Sequence, residues 1–411
     1  MLGAGVFRSL RRFNYRVWIG GALVSNVGTW MQRMAQDWLV LTQLTHHRAS
    51  AVGMVMALQF GPQLLFLPLT GFAADHLNQR KVLMATQTVM GLLALILGVL
   101  TITGTVQLWE VYVLAFLQGS TAAFDAPVRQ TSVAELVGDE DLPNAVGLNS
   151  CSFNAARIIG PAVAGLTISA IGTGWAFVIN GISFGAVLLS LCLLRASDLR
   201  PNARAHPRKG SFTRGFRYVW ARPDLKAILV MLFLIGTFGL NFPIFTSTMS
   251  VRVFHAGARG FGMLSSIMAL GTLSGSLIAA GRHKVGFGSL LLGAGMFGVG
   301  CALGALSPDY WAFAAALGVI GVASLTFTNG TNSMMQLTTE PSMRGRVMAI
   351  RLAVTDGGTI IGAPIVGWVA DQFGPRWALS VGAASGFAAA AVAAGFMGLT
   401  RSRTLVIEDV G

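Results

Sequence analysis

The sequence predicts an all-α membrane protein with twelve transmembrane helices in two pseudo-symmetric six-helix bundles. Three observations predict it. Charged residues are 11% of the 411 and apolar residues 54%, whereas a soluble domain carries about 25% charge to clothe its surface. Apolar runs of about 20 residues, the length that crosses a bilayer, recur along the whole chain. The third observation is a repeat: Ile159-Gly160-Pro161-Ala162-Val163-Ala164-Gly165 returns as Ile361-Gly362-Ala363-Pro364-Ile365-Val366-Gly367, the two prolines lying 203 positions apart. Two same-sense copies of an apolar block mark a transporter built from related halves.

In order, the first half offers spans at 17–43, 50–73, 82–103, 109–128, 145–170 and 175–194. The second offers 226–250, 260–281, 286–306, 310–334, 347–370 and 376–399. Several connectors are a handful of residues, such as Gly104-Thr105-Val106-Gln107 and Ser307-Pro308-Asp309. The repeat also sets Phe124 opposite Phe327. The chain therefore divides into a bundle at 1–195, a basic linker at 196–225 and a second bundle at 226–411. In the linker region, Phe212-Thr213-Arg214-Gly215-Phe216-Arg217-Tyr218-Val219-Trp220 is aromatic and basic, as expected of a helix lying on an anionic inner leaflet.

Orientation follows from the basic residues, because cytoplasmic loops collect Lys and Arg. With the N-terminus inside, 22 of the 29 fall in inner segments, four (Arg48, Arg252, Arg259, Arg376) in outer gaps and three within spans. That asymmetry predicts both termini on the cytoplasmic side of a plasma membrane. Arg8, Arg11, Arg12 and Arg16 precede a long first apolar run. It reads as an uncleaved span rather than a removed signal peptide.

The net charge of +13 does not point to nucleic acid, because the basic residues sit in gaps between spans rather than on a soluble module. Cys151, Cys192 and Cys301 are far apart inside apolar runs, so neither a disulfide framework nor a metal site is expected. There is no HExxH, GxSxG or P-loop pattern, which argues against an enzyme, a bound cofactor and direct ATP drive.

At the end of the second span, Gly71-Phe72-Ala73-Ala74-Asp75-His76-Leu77-Asn78-Gln79-Arg80-Lys81 resembles the loop motif of the major facilitator superfamily, departing from it at His76 and Gln79. Gly160-Pro161 with Gly165 resembles the motif of that superfamily's drug antiporters. Asn26-Val27-Gly28-Thr29-Trp30-Met31-Gln32 with Ala35-Gln36-Asp37-Trp38-Leu39, and Phe124-Asp125-Ala126-Pro127-Val128-Arg129-Gln130, are similar to the branch that contains the enterobactin exporter and the transmembrane secretion effectors. The resemblance implies a proton-driven exporter of small amphipathic molecules, of the drug or siderophore class, working as a monomeric unit among membrane lipids.

The residues themselves single out the first span. Asn26, Thr29, Arg33, Gln36 and Asp37 recur at three- and four-residue steps and form one polar stripe. Ionisable groups inside a span almost always face protein or an aqueous cavity. Asp37 reads as a proton- and substrate-responsive carboxylate tuned by Arg33, or the two form a static ion pair. In span five, Asn154 and Arg157 share a face with Ser150. Arg157 binds an anionic substrate group, or pairs with Asp37 or Asp356. Asp356 is the deep carboxylate of span eleven, while Arg351 is expected to snorkel to the cytoplasmic end. Asn26, Gln36, Gln59, Gln63, Gln118, Asn241 and Asn329 are candidate cavity residues, with Trp30, Phe60 and Phe242 as aromatic walls.

Gly71, Asp75, Arg80 and Lys81, with Asp125 and Arg129 at the same level, read as a cytoplasmic gate, or simply as topology signals. Gly160, Pro161, Gly165, Gly362 and Pro364 read as hinge positions and as close-packing small residues. The rival functions are a proton-linked importer or facilitator of a nutrient, a non-transporting receptor and a lipid enzyme. Sodium remains an alternative coupling ion.

Overall fold

In the computed structural model, residues 7–138, 140–198, 212–280 and 286–408 are described, and among them every regular element is helical. Helix α1 (Phe13–Trp38) runs on as a π turn, Leu39–Leu44. Then follow α2 (Ala49–Leu65), α3 (Leu67–His76), α4 (Gln79–Ile102), α5 (Leu108–Val137), α6 (Leu142–Ile171) and α7 (Thr173–Leu193). A short helix α8 (Phe212–Ala221) precedes α9 (Pro223–Leu234) and α10 (Phe242–Thr248), and then come α11 (Ala258–Ala280), α12 (Phe287–Leu306), α13 (Tyr310–Thr338), α14 (Arg344–Phe373) and α15 (Pro375–Glu408). With α2–α3 and α9–α10 each counted as one interrupted span, the described residues supply the twelve expected spans.

Nine helices, among the described residues, are long and apolar enough to cross a membrane. The remaining three spans are α1, α2–α3 and α5. The first and third carry Arg33 with Asp37, and Asp125 with Arg129, while the second is split at Phe66. Large apolar side chains stand exposed on the outer faces, among them Ile182, Leu277 and Leu306. A row of this kind fits hydrocarbon as the surrounding solvent.

Several helices outlast their apolar runs because caps, not hydropathy, end them. Helix α5 continues to Val137, well past the end at 128 read from the apolar run, and stops at Gly138 with φ +78°. Helices α6 and α14 end the same way at Gly172 (φ +99°) and Gly374 (φ +102°), a backbone region where only glycine is at ease. Helix α4 begins where the Asn78 side chain accepts from the Lys81 N–H at 3.1 Å.

The structure falls into two compact units, and their boundary does not follow the middle of the sequence. One unit comprises residues 1–47, 58–207 and 256–266. Its core gathers Tyr15, Trp18, Leu83, Val128, Val187 and Leu191, and the Tyr15 hydroxyl donates to the Ala145 carbonyl at 2.8 Å. The other unit comprises residues 48–57, 208–255 and 267–411. Phe245, Phe297, Phe313, Leu317 and Leu379 are fully buried there.

The repeat seen in the sequence is reproduced contact by contact, once in each unit. In the first, Gly160 of α6 lies against Trp30, Val27 and Met31 of α1, Gly165 faces the Ala258 carbonyl, and Gly262 meets the Pro161 carbonyl. In the second, Gly362 of α14 lies against Thr237, Gly367 faces the Ala49 carbonyl, and Gly53 meets the Ala363 carbonyl. Small residues at these places let backbones approach closely. Even the preceding turns match, with His46 and His255 both at φ +48°.

The aromatic, basic stretch does form a helix, α8. Its Phe216 and Trp220 rings stack at 5.0 Å and are exposed, while Val219 is buried and Gly215 packs on Arg346.

Candidate functional site

Helix α1 lays its polar stripe into the first unit. Gly28 makes that possible, because a side chain there would collide with Asn180 and Ser183 of α7. With α7 that close, Gln32 is buried and becomes a junction. Its Nε2 donates to Gln118 Oε1 at 2.7 Å, and its Oε1 accepts from Asn180 Nδ2. Next to it, Gln59 Nε2 donates to Gln36 Oε1 at 3.2 Å.

These amides border a cavity of about 50 Å³. Four of the candidate cavity residues, Gln36, Gln59, Gln63 and Gln118, line it together with Arg33, Gln32 and Phe60. Gln32 was not singled out from the sequence, although Gly28, Gln32 and Gln36 follow one another at four-residue steps and so share a face. Asn26 belongs elsewhere, its Oδ1 accepting from Arg129 at 3.3 Å. Asn241 and Asn329 lie in the second unit.

Arg33 and Arg157 meet at one indole. Their guanidinium carbons lie 5.0 and 5.4 Å from the Trp30 ring centroid, and Phe153 meets the same ring edge-on at 5.7 Å. Among the described residues of this unit, neither arginine makes a direct ion pair. Asp37 attracts Arg33 through space only, so the contact ion pair weighed from the sequence is not formed, and the two arginine charges repel each other. Asn154, on the same helix as Arg157, turns back to donate to the Ser150 carbonyl at 2.9 Å.

The second unit places Asp356 on α14 one turn and a residue beyond Arg351. Arg351 does not snorkel. It is 9% exposed, donates to the Thr328 carbonyl at 3.4 Å and leaves its Nε without an acceptor. The side chain turns to α13, where the Thr328 carbonyl receives it, while further along α14 Gly358 and Gly362 pack on Thr237 of the segment that follows α9. That segment is a π turn, Ile235–Gly239, after which the chain leaves the helix at Leu240 and Asn241 before α10 resumes. At the break, Asn241 Nδ2 donates to the Thr237 carbonyl at 2.7 Å, while Asn241 Oδ1 and Thr237 Oγ1 are buried without partners. Interrupted spans with free polar groups are where transporters commonly bind ions or substrate.

The candidate gate residues are brought together only in part. Asp125 is 4% exposed. Its carboxylate accepts from Thr86 Oγ1 and Gln87 Nε2, each at 2.7 Å, and from Arg129 at 2.7 and 2.9 Å. Arg80 donates instead to the Cys192 carbonyl at 3.3 Å, and Lys81 is exposed. Gly71 has open space around it on α3, and the Asp75 side chain lies outside the described residues. Pro161 and Pro364 both sit inside unbroken helices, with the glycine contacts already described on either side.

Comparison with known proteins agrees with this architecture. A family model described as transmembrane secretion effector matches residues 4–404. The enterobactin exporter EntS of Escherichia coli O127:H6 is 26% identical over 364 residues, covering 85% of this chain and 83% of the relative. The enterobactin exporter of Shigella boydii serotype 18 shows the same identity and coverage. Among solved structures, the nucleoside transporter NupG is similar with a TM-score of 0.74 at 12% identity, over 94% of this chain and 99% of that one. A bacterial homologue of the iron transporter ferroportin in an inward-facing state gives 0.71 at 15% identity, over 93% and 98%. At such identities the likeness establishes the fold alone.

Proposed function

The chain belongs to the transmembrane secretion effector family of major facilitator transporters, and from that premise we propose that it is a proton-coupled exporter of small amphipathic molecules. The relatives named for enterobactin export favour a siderophore-like cargo and outward flux from a bacterial cytoplasm, and the excess of Lys and Arg in the inner segments favours both termini on the inner side. The observation that carries the reading is the polar face of α1. Arg33 and Asp37 stand on consecutive turns within a spanning helix, and Arg33 borders a cavity whose polar wall is mainly glutamine amides, with Phe60 and Met90 beside them. A carboxylate in such a helix is costly to keep charged, so it is suited to taking up and releasing a proton as its surroundings alternate. Asp356 is the second candidate, sharing α14 with the buried Arg351.

In this reading, α6 and α14 bend at Pro161 and Pro364 as access alternates. Gly160, Gly165 and Gly362 keep the backbones close enough to slide as packed surfaces. Asp125 and Arg129 tie α5 to Thr86 and Gln87 of α4, and the 71–81 stretch, where α3 gives way to α4, acts as the cytoplasmic gate.

The deciding experiment uses proteoliposomes with an imposed pH gradient, an encapsulated pH-sensitive dye and a catecholate siderophore as cargo. Wild type moves protons against cargo. Asp37→Asn should express normally and lose cargo-dependent proton flux. Unaltered flux in that variant removes Asp37 from the mechanism. Proton and cargo moving in the same direction makes the protein an importer.

A further inference from the structure

We propose that the cavity beside Arg33 is a receptor for the oxyanion head group of an organic anion, with Arg157 supplying the second positive charge across Trp30. The proposal rests on the transporter reading above and names the charge class of what that site takes.

Four observations carry it. The first is electrostatic. Two guanidiniums are held against one indole at 5.0 and 5.4 Å, and Asp37, the nearest acid along α1, makes no direct ion pair with Arg33. Positive charge in a membrane-spanning helix demands a counter-charge or water, and here the like charges repel. An incoming anion relieves both costs at once.

The second observation is the character of the walls. No residue lining the cavity is acidic, one is arginine, and five are the glutamines named above. A cation would find no carboxylate there.

The third observation is an unspent donor. Gln36 is 1% exposed and lines the cavity, its Oε1 already taken by Gln59, yet its Nε2 has no acceptor. A buried N–H left unpaired is costly, so the site is built for an oxygen to arrive.

The fourth observation is size. A cavity of about 50 Å³ is far below the ~300 Å³ that encloses a whole drug-sized ligand. It fits a carboxylate or a catecholate edge, not a complete molecule. Phe60 and Met90 on its lining give the attached planar body an apolar surface to rest on.

The test is equilibrium binding to the full-length protein in detergent, followed by thermal shift, with three probes of similar shape. They are salicylate, its neutral amide salicylamide, and the cation benzyltrimethylammonium. Salicylate should bind tightest. Arg33→Gln should weaken it about tenfold, the loss expected when a charged hydrogen-bond partner is removed, and Arg157→Gln, which removes a charge acting from beyond Trp30, by a smaller factor; both should leave salicylamide unchanged. Gln36→Leu should weaken salicylate by a smaller factor. Arg157→Lys keeps the charge and should retain most of the anion preference. It is the variant to read if a glutamine variant is not monodisperse. Equal affinity for salicylate and salicylamide, tighter binding of the cation, or undiminished salicylate binding in both glutamine variants overturns the proposal. Binding in detergent needs no gradient and no direction of flux. Retained anion preference with absent export therefore sinks only the export reading, and export without anion preference sinks only this site.

Discussion

Set side by side through the repeat, the two units share a scaffold and differ in where they keep their carboxylates. Asp125 of α5 corresponds to Thr328 of α13, one position on from the matched pair Phe124 and Phe327. In the first unit that place holds an acid gripped by Thr86, Gln87 and Arg129. In the second it holds a threonine whose carbonyl receives Arg351. At the other end of the motif helices the exchange is reversed. Asp371 of α14 accepts from the N–H groups of Ala49 and Ser50 at 2.7 and 2.9 Å and pairs with Arg252 at 3.5 Å. Its counterpart on α6, Ser169, accepts from Arg259 at 2.8 Å. Close backbone packing was preserved in both copies, because a side chain cannot enter those contacts. The charges moved freely because they need only a local partner. Fold and chemistry thus follow separate constraints within one chain.

The largest expected effect comes from making the first unit resemble the second at its buried acid. Asp125→Thr would leave Arg129 and Gln87 with unpaired donors in a buried place, where breaking an ion pair costs about 3–5 kcal/mol. The thermal unfolding midpoint in detergent should fall more than for any other variant considered. A small fall would mean that water reaches the Asp125 pocket, and the contrast with Thr328 would lose its energetic meaning.

Next come the glycines that the two units share. Gly362→Val drives a branched side chain into the Thr237 carbonyl, and Gly160→Val into Trp30 and Val27. Backbone cannot give way as a flexible side chain can, so each should cost about 1–3 kcal/mol. Gly61→Ala and Gly185→Ala, where nothing lies within 4 Å, are the controls. If the two glycine variants differ widely, the units are not equivalent scaffolds.

Much of this scaffold was legible beforehand, and the reason is physical. Lipid forces long apolar helices, so span positions and the repeat stand out in the sequence. The α1 stripe was equally visible, since arginine and aspartate inside a span have few explanations. What could not be read was partnership across helices. That Gln32 would join Gln118 and Asn180 depends on the rotation of three helices about their axes; the four-residue spacing of Gly28, Gln32 and Gln36 shows a shared face but not the helices it meets. Arg351 was misjudged for a similar reason. Its distance from the end of the apolar run said that it could reach water, but a carbonyl on a neighbouring helix, that of Thr328, receives it instead.

Smaller effects should appear at the far end of the motif helices. Asp371→Ser copies Ser169 into the second unit. It removes a carboxylate that caps the start of α2 and neutralises Arg252, interactions together worth about 1–2 kcal/mol, and the unfolding midpoint should drop accordingly.

The reverse change, Ser169→Asp, should do far less, and the asymmetry is the point of making it. Ser169 and Arg259 are both exposed, so a new carboxylate there would gain a solvated ion pair worth only about 0.5 kcal/mol. Asp371 is only 17% exposed at its side chain and receives two backbone N–H groups, which no surface arginine replaces. The expected result is a slight rise in the unfolding midpoint that disappears in high salt, because exposed charges are screened. A rise as large as the Asp371→Ser loss, and insensitive to salt, would mean that the start of α11 is capped by the new acid as α2 is by Asp371. The two units would then differ at this end by one side chain alone, and burial would have no part in the contrast.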